Sequence, residues 1–293
     1  FKHQSEFSSL KINGERLWSR LGELGEIGSY MDERTAMQGV RRLALTDSEI
    51  EGRNLVVKWM LDQNLTVTID PIGNVYARRK GRDETLAPVM MGSHIDSVGT
   101  AGRFDGCLGV IGGLEVLATL DDNNVTTDRP LVVAFFTDEE GVRFGTDMLG
   151  SATAVGRLPL EDALSLKDRD GVSVADELAR HNQSGDAPWL FEEKPHAYVE
   201  CHIEQGPVLE DADVTIGVVS GSLGIRWFDC IVTGMEAHAG PTPMGLRRDA
   251  LQVATVVMQE VVAIANRHAP HGRGTVGMVH VHPNSRNVIP GMV

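Results

Sequence analysis

The sequence predicts an α/β fold with a mixed sheet, arranged as a larger domain followed by a smaller α/β domain. Apolar residues recur at helical spacing over residues 9–27 and 47–63, which places them on one face of each helix. Short apolar or alternating runs, typical of strands, follow between residues 65 and 137. After residue 214 a strand–helix–strand order begins again, which indicates a second α/β domain.

In the larger domain, polar capping residues and apolar periodicity define the helices. Thr46 and the acidic residues after it supply capping groups for the helix over 47–63. Val110, Leu114 and Leu117 share one face of a helix over 108–120. A polar stretch before residue 197 has room for short helices.

Strands are expected wherever short apolar runs end at polar or glycine-rich turns. Gly73-Asn74 forms the turn between the first two. The continuous apolar run at 131–137 is typical of a central strand that is buried on both faces. The predicted strands are Leu65–Asp70, Val75–Arg79, Val89–Met91, Leu131–Thr137 and Ala197–Ile203.

The smaller domain is predicted from a change of rhythm after residue 214. Strands over 214–219, 227–232 and 275–282 accompany a long helix over 246–267. The expected domains are therefore residues 1–214 and residues 215–293. Because the chain opens with Phe1 and closes at Val293 without an evident cap, it is expected to be a fragment.

Composition excludes several classes of function. The formal net charge is −14, and the sequence has no basic stretch that could neutralise nucleic-acid phosphates. No apolar run reaches the roughly 18 residues of a membrane helix, and no signal pattern opens the chain. The 3 cysteines are too few for a disulfide framework or a cysteine-based zinc site. A cytoplasmic location is therefore expected.

The first chemistry-bearing segment pairs a histidine with an aspartate. His94 follows the strand that begins at Val89, and Asp105 precedes the next helix, so both can approach one ion at the carboxyl end of the sheet. Asp96 is placed to accept the other ring N–H of His94 and to fix its tautomer. A surface histidine beside a glycine-rich turn would give the same pattern.

Two further strand ends carry candidate donors. Glu139 and Glu140 follow the buried run at 131–137, where one could bind a metal and the other could hold a water as general base. His202 closes the predicted strand over 197–203. A solvated acidic turn and a core histidine are the alternatives. The combination of imidazole and carboxylate donors favours zinc or manganese.

The motifs together resemble the aminoacylase/carboxypeptidase-type dinuclear zinc metallopeptidase family. Within it they are most similar to the amidase branch, which comprises N-carbamoyl-L-amino acid hydrolase, allantoate amidohydrolase and β-ureidopropionase. The string His202–Pro207 is the most branch-specific part of the match. The matching segments are Gly92–Val98, Gly102–Gly106, Asp138–Phe144, His202–Glu210, Ala237–Met244, Arg247–Ala250 and Asn287–Gly291.

The resemblance implies a metallopeptidase-like catalytic domain with an inserted α/β sandwich that serves as lid and dimerisation domain. It also implies that the C-terminal part of the catalytic domain is missing. That part would bring a final histidine for the second metal and an arginine for the substrate carboxylate. A homodimer through residues 215–293 is expected.

The resemblance also assigns roles to individual residues. His94 and His202 would bind one metal, Asp105 would bridge both, and Glu140 would bind the second. Glu139 would be the general acid and base. Contacts to the substrate would come from Gln205, His238 and Asn287, with His238 reaching into the partner subunit's site and stabilising the oxyanion.

The expected function is metal-dependent hydrolysis of the carbamoyl or ureido C–N bond of N-carbamoyl-L-amino acids or allantoate, with release of ammonia and carbon dioxide. The cofactors would be two divalent ions, zinc or manganese, with cobalt or nickel also compatible. Two alternatives remain open: a dipeptidase or aminoacylase of the same fold, and a non-catalytic binding relative.

Overall fold

The computed structural model describes residues 9–293, and the chain divides into two compact units. The first unit ends at Val208 and the second is Leu209–Val293. The sequence places its boundary slightly later, after residue 214. The assignment of a catalytic role to one range and a lid role to the other remains a prediction.

The elements of the first unit follow the predicted order with few differences. Predicted helices and central strands are present, and three short helices lie in the polar stretch before residue 197. In chain order the elements are α1 Gly14–Glu26, β1 Ser29–Asp32, β2 Met37–Val40, α2 Asp47–Asp62, β3 Thr66–Ile69, β4 Val75–Arg79, β5 Val89–His94, α3 Cys107–Asp122, β6 Leu131–Phe136, α4 Leu149–Ala154, α5 Leu160–Ser165, α6 Val174–His181 and β7 Ala197–Val199.

A five-stranded mixed sheet forms the centre of this unit, in the order β3-β4-β6-β5-β7. β5 runs parallel to both β6 and β7, whereas β4 pairs antiparallel with β3 and β6. The predicted mixed α/β sheet is confirmed. Because β5 and β6 are parallel neighbours, their carboxyl ends meet at one edge of the sheet.

The pleat of β6 explains why its sequence is apolar throughout. Val133 and Phe135 belong to the main core, together with apolar residues of α1, α2 and α3. The alternate residues Val132 and Ala134 belong to a second cluster. Successive side chains of a strand point to opposite faces, so burial on both faces requires an unbroken apolar run.

The sequence did not predict the hairpin of β1 and β2. These strands pair antiparallel with Ser29 opposite Val40. Met31 and Met37 are exposed, and the strands do not alternate cleanly between apolar and polar residues. Without a buried face, the hairpin left no periodic signal in the sequence.

The predicted strand over Ala197–Ile203 is only partly correct. β7 ends at Val199, where it pairs with Met91 of β5, and it forms the edge of the sheet. The pairing stops there although β5 itself continues to His94, so the length of the partner does not set the length of β7. His202 therefore lies beyond the strand, in irregular structure.

The second unit contains one long helix and little sheet. Its helices are α7 Val208–Asp211, which begins at the last residue of the first unit, a 3-10 turn Met244–Leu246 and α8 Ala250–Arg267. The short strands β8 Ala237–His238 and β9 Val288–Ile289 pair antiparallel.

The three strands predicted in the second unit are not present as strands. Residues 214–219, 227–232 and 275–282 have no ladder among the residues that the structure describes, apart from an isolated bridge at His282. A strand needs the N–H and C=O groups of a neighbour. The side chains are correspondingly open, with Trp227 89% and Phe228 85% exposed. The inserted α/β sandwich is therefore not confirmed.

Within residues 9–293, no helix is long and apolar enough to cross a membrane. Cys107, Cys201 and Cys230 are free thiols in the structure.

A buried ion pair on α2 anchors the turn before β4 and the residue that follows β6. Arg53 Nε donates to Glu49 Oε1 at 2.6 Å, and both side chains are 1% exposed. The Arg53 guanidinium also donates to Gly73 O at 2.5 Å and to Thr137 Oγ1 at 3.0 Å. Burial raises the pKa of the Glu49 carboxyl, which the Arg53 charge opposes.

We predict that Arg53→Met lowers the free energy of unfolding by about 3–5 kcal/mol, because it leaves a buried carboxylate without its partner. Lys58→Met is the matched control, since Lys58 forms an exposed pair with Asp62 at the same helical spacing and should cost less than about 1 kcal/mol. Urea unfolding followed by circular dichroism measures both. Equal losses would show that Arg53 does not anchor this region.

Candidate metal centre

His94 ends β5 and lies almost fully buried, with 2% of its side chain exposed. Its Nδ1 lies 3.0 Å from the backbone oxygen of Asp96, and a carbonyl can only accept, so Nδ1 carries a proton. The Asp96 carboxylate oxygen is farther away, at 3.6 Å. The sequence predicted the carboxylate as the acceptor, whereas the nearer acceptor is the backbone carbonyl.

Asp105 and His202 lie beside the other nitrogen of His94. His94 Nε2 is 3.8 Å from Asp105 Oδ1, and His202 Nε2 is 3.2 Å from the same oxygen. His202 Nδ1 lies 2.8 Å from the backbone oxygen of Ile203, to which it donates. The two rings lie with their centroids 6.0 Å apart. Both Nε2 atoms are therefore directed at the Asp105 carboxylate.

Glu139 and Glu140 follow β6 and are held by Asp96. The backbone N–H of Glu139 donates to Asp96 Oδ1 at 3.2 Å, and that of Glu140 donates to Oδ2 at 3.1 Å. Asp138, directly before them, has a φ of 51°, so the chain turns sharply at the strand end. Glu139 Oε2 lies 3.5 Å from His94 Nε2.

These side chains satisfy a physical test for a cation site. One atom each from His94, Asp105 and His202 lies within 4.8 Å of the others, and the same holds for His94, Glu139 and Glu140. Asp105 Oδ1 and Glu140 Oε1 are buried without a hydrogen-bond partner. Buried carboxylate oxygens beside imidazole nitrogens need a positive charge. The donors therefore fit divalent ions.

The pKa values reflect the same crowding of carboxylates. Burial alone would lower the pKa of His94, but its contact with Asp96 and the charges of Asp96 and Glu139 raise it to about 9. Burial raises the pKa of Glu140 to about 7, and it raises the pKa of Glu139 as well. The site thus attracts positive charge, which a proton or a metal ion can supply.

Gln205 also contacts this cluster. Its Nε2 donates to Asp105 Oδ2 at 2.7 Å. The resemblance predicted a substrate contact for Gln205, and in the structure its amide is bonded to the proposed bridging carboxylate.

His238 and Asn287 lie together in the second unit. His238 is in β8 and pairs with Val288 of β9, while Ala239 N donates to Asn287 O at 2.8 Å. His238 Nδ1 accepts from Gly240 N at 3.0 Å. The side chains of His238 and Asn287 are both exposed. The pairing of β8 with β9 thus brings together His238 and Asn287, the two residues predicted to bind substrate.

Several residues that the sequence reasoning missed hold the site in place. Buried Arg42 donates to Ile95 O at 2.8 Å and to Cys107 Sγ at 3.1 Å, so it holds the residue after His94 and the second residue after Asp105. Asp138 is buried, and burial raises its pKa to about 8. The only sequence signal for Asp138 is its position directly after the apolar run at 131–137.

The mixed sheet and the donors at its strand ends define a metallopeptidase-like α/β protein. The comparisons agree: the sequence model of Peptidase family M20/M25/M40 matches residues 90–284. The chain belongs to this family. It lies in its amidase branch, among the hydrolases of carbon–nitrogen bonds other than peptide bonds.

Three relatives illustrate the match. An N-carbamoyl-L-amino acid amidohydrolase of Geobacillus stearothermophilus is 42% identical over 285 residues, covering 96% of this chain and 68% of that protein. Allantoate deiminase 1 of Glycine max is 33% identical over 300 residues, covering 94% and 61%. The crystal structure of a hydantoinase/carbamoylase family amidase of Burkholderia vietnamiensis has a TM-score of 0.87 and 51% identity, covering 97% and 67%.

A glycine controls the position of His94, which gives a test of the site. Gly106 has a φ of 65°, and a Cβ there would lie 2.5 Å from His94 Nε2. We predict that Gly106→Ala displaces the ring and weakens zinc binding by at least about tenfold, a loss typical of disturbed ligand orientation. Competition with a chromophoric chelator measures the affinity.

Gly102→Ala in the same loop is the matched control, because a Cβ at Gly102 meets nothing within 4 Å. It should bind zinc like the unaltered protein. If both variants bind zinc equally well, His94 is not a ligand or its position is unimportant.

Proposed function

We propose that this protein is a metal-dependent amidohydrolase that cleaves the carbamoyl or ureido C–N bond of N-carbamoyl-L-amino acids or allantoate. The observation that carries the proposal is the convergence of two donor groups on His94, one with Asp105 and His202 and one with Glu139 and Glu140. The names of the relatives support the choice of substrate class. The products would be the amine, ammonia and carbon dioxide.

His94 and His202 would hold one ion, Asp105 would bridge, and Glu140 would hold the second. The buried, unpartnered oxygens of Asp105 and Glu140 support these roles. The ions are zinc or manganese, with cobalt or nickel as further compatible metals. When bound, such ions polarise a carbonyl and lower the pKa of water.

Glu139 would move the proton. Its carboxylate is 36% exposed, so a water and a substrate can reach it, and burial of the remainder raises its pKa. A raised pKa suits a group that takes a proton from the attacking water and returns it to the leaving nitrogen. Asp96 would hold the backbone N–H of Glu139, so the side chain of Glu139 would stay free to move the proton.

Substrate would be bound by Gln205, His238 and Asn287. A neutral or protonated His238 ring can donate to the oxygen that becomes negative during the reaction. Its exposed position, beside Asn287 on paired strands, supports a role in binding rather than in packing.

Residues 215–293 would form the lid and dimerisation domain, a small α/β sandwich in the assembled enzyme, and His238 would serve the site of the partner subunit. The exposed apolar side chains of this range support an interface. The chain spans about two thirds of the length of its first relatives. The remaining third of the family's length would supply the last histidine ligand and an arginine for the substrate carboxylate.

Ammonia release tests the proposed function. The protein, expressed with the remaining third of the family's length, is loaded with manganese or zinc and assayed on N-carbamoyl-L-amino acids, allantoate and dipeptides. We expect ammonia from one of the first two, loss of activity with a chelator and recovery when metal is restored. Dipeptide cleavage without ammonia would identify a peptidase, and inactivity on all substrates would favour a binding role.

The two adjacent glutamates give a sharper test of mechanism. We predict that Glu139→Gln lowers kcat by about 100- to 10,000-fold, the contribution of a general base, and leaves zinc affinity unchanged. Glu140→Gln is the contrasting variant, and it should weaken zinc binding itself. An active Glu139→Gln enzyme would disprove the proton-transfer role, and unchanged zinc binding by Glu140→Gln would remove Glu140 from the ligands.

A further inference from the structure

The segment that carries His202 has no ladder to hold it in place. The pairing of β7 with β5 ends where Val199 lies opposite Met91. His202 lies three residues beyond this point, yet its Nε2 comes within 3.2 Å of Asp105. Some other contact must fix the chain between Val199 and His202.

A hydrogen-bonded group of three side chains lies in that gap. Ser93 Oγ donates to Glu200 Oε1 at 2.5 Å, and Tyr198 OH donates to Glu200 Oε2 at 2.8 Å. Bonds from a hydroxyl to a carboxylate at such distances are among the stronger hydrogen bonds in proteins. Ser93 directly precedes His94, and Glu200 lies two residues before His202. The contact therefore links the two histidine-bearing segments.

Burial makes Ser93 dependent on this contact. Ser93 is 2% exposed, and a buried hydroxyl needs a partner. Glu200 is exposed and accepts from both Ser93 and Tyr198 with its two oxygens. Burial and the adjacent carboxylate raise the pKa of the Tyr198 phenol, so it remains a donor.

The first turn of α3 meets the same two segments. A Cβ on Gly109 would lie 2.8 Å from Ser93 Cβ and 2.9 Å from Cys201 O. Only a residue without a side chain lets the helix approach this closely. Because Asp105 lies two residues before the start of α3, the segments of all three donors meet around the Ser93–Glu200 bond.

We infer that Glu200 is a positioning residue of the metal centre: through Ser93 and Tyr198 it holds His202 at the distance from His94 at which both can bind one ion. The inference rests on the metal centre proposed above. Glu200 would contact neither the ion nor the substrate. Its effect would be to fix the geometry before the ion binds, which reduces the ordering that binding requires.

Zinc affinity, measured by chelator competition, tests this role. Glu200→Ala should weaken zinc binding by about 10- to 100-fold, the range found when outer residues that orient metal ligands are removed. Glu200→Gln keeps an acceptor oxygen for Ser93 and should stay within about threefold of the unaltered protein, since a threefold change is under 1 kcal/mol. Glu193→Ala, an exposed glutamate before β7, is the matched control and should bind zinc normally.

Ser93→Ala removes the same bond from the other side. It should resemble Glu200→Ala, and the double variant should be no weaker than either single one, because both remove one interaction. Thermal unfolding of the zinc-free variants separates positioning from simple stability.

The outcomes are distinct. If the unaltered protein does not bind zinc, the metal centre and this inference both fail. If it binds and Glu200→Ala binds equally well, only the positioning role fails, even where the variant unfolds at lower temperature. A Glu200→Gln variant as weak as Glu200→Ala would also overturn the role, because the charge and not the hydrogen bond would then matter.

Discussion

The arrangement of the site depends on one buried residue, Asp96. Its backbone oxygen fixes the ring of His94 at the end of β5, and its carboxylate binds the N–H groups of Glu139 and Glu140 beyond β6. The two strands are parallel neighbours, so one side chain can reach both ends. This link bonds the loop after β6 directly to the end of β5, so the proposed ligands and the proposed base share one support.

Buried arginines extend this support into the core. Arg42 holds the carbonyl of Ile95, and Arg53 holds the hydroxyl of Thr137. Each bonded residue lies next to one that shapes the site, His94 in the first case and Asp138 in the second. A buried guanidinium is costly unless its donors are satisfied. The core therefore carries charged groups at the two places where the positions of functional side chains must be exact to a fraction of an ångström.

The sequence predicted the parts of the site that lie at central strands. β6 is buried on both faces and left an apolar run whose end could be located, and with it Glu139 and Glu140, whereas β5 was predicted as Val89–Met91 and runs on to His94 itself. The end of β7 could not be located, because its pairing stops at Val199 although its partner β5 continues to His94, and no sequence signal marks that point. The prediction of three strands in the second unit was wrong for a related reason. Alternation of apolar residues suits a strand, but it does not provide a neighbouring strand with which to pair. Gln205, His238 and Asn287 rested on family resemblance, and Glu200 had no periodic signal.

In the proposed mechanism, charge would make the binding of cations and the binding of substrate interdependent. Asp105, Glu139 and Glu140 crowd around His94, and the chain as a whole carries a formal net charge of −14. An N-carbamoyl amino acid carries a carboxylate, and two like charges about 4 Å apart repel by about 4 kcal/mol near a protein surface. Such a substrate would be repelled until divalent ions neutralise the carboxylates. The proposed mechanism therefore requires the ions to bind first. The same ions that polarise the carbonyl would also allow an anion to enter an acidic site.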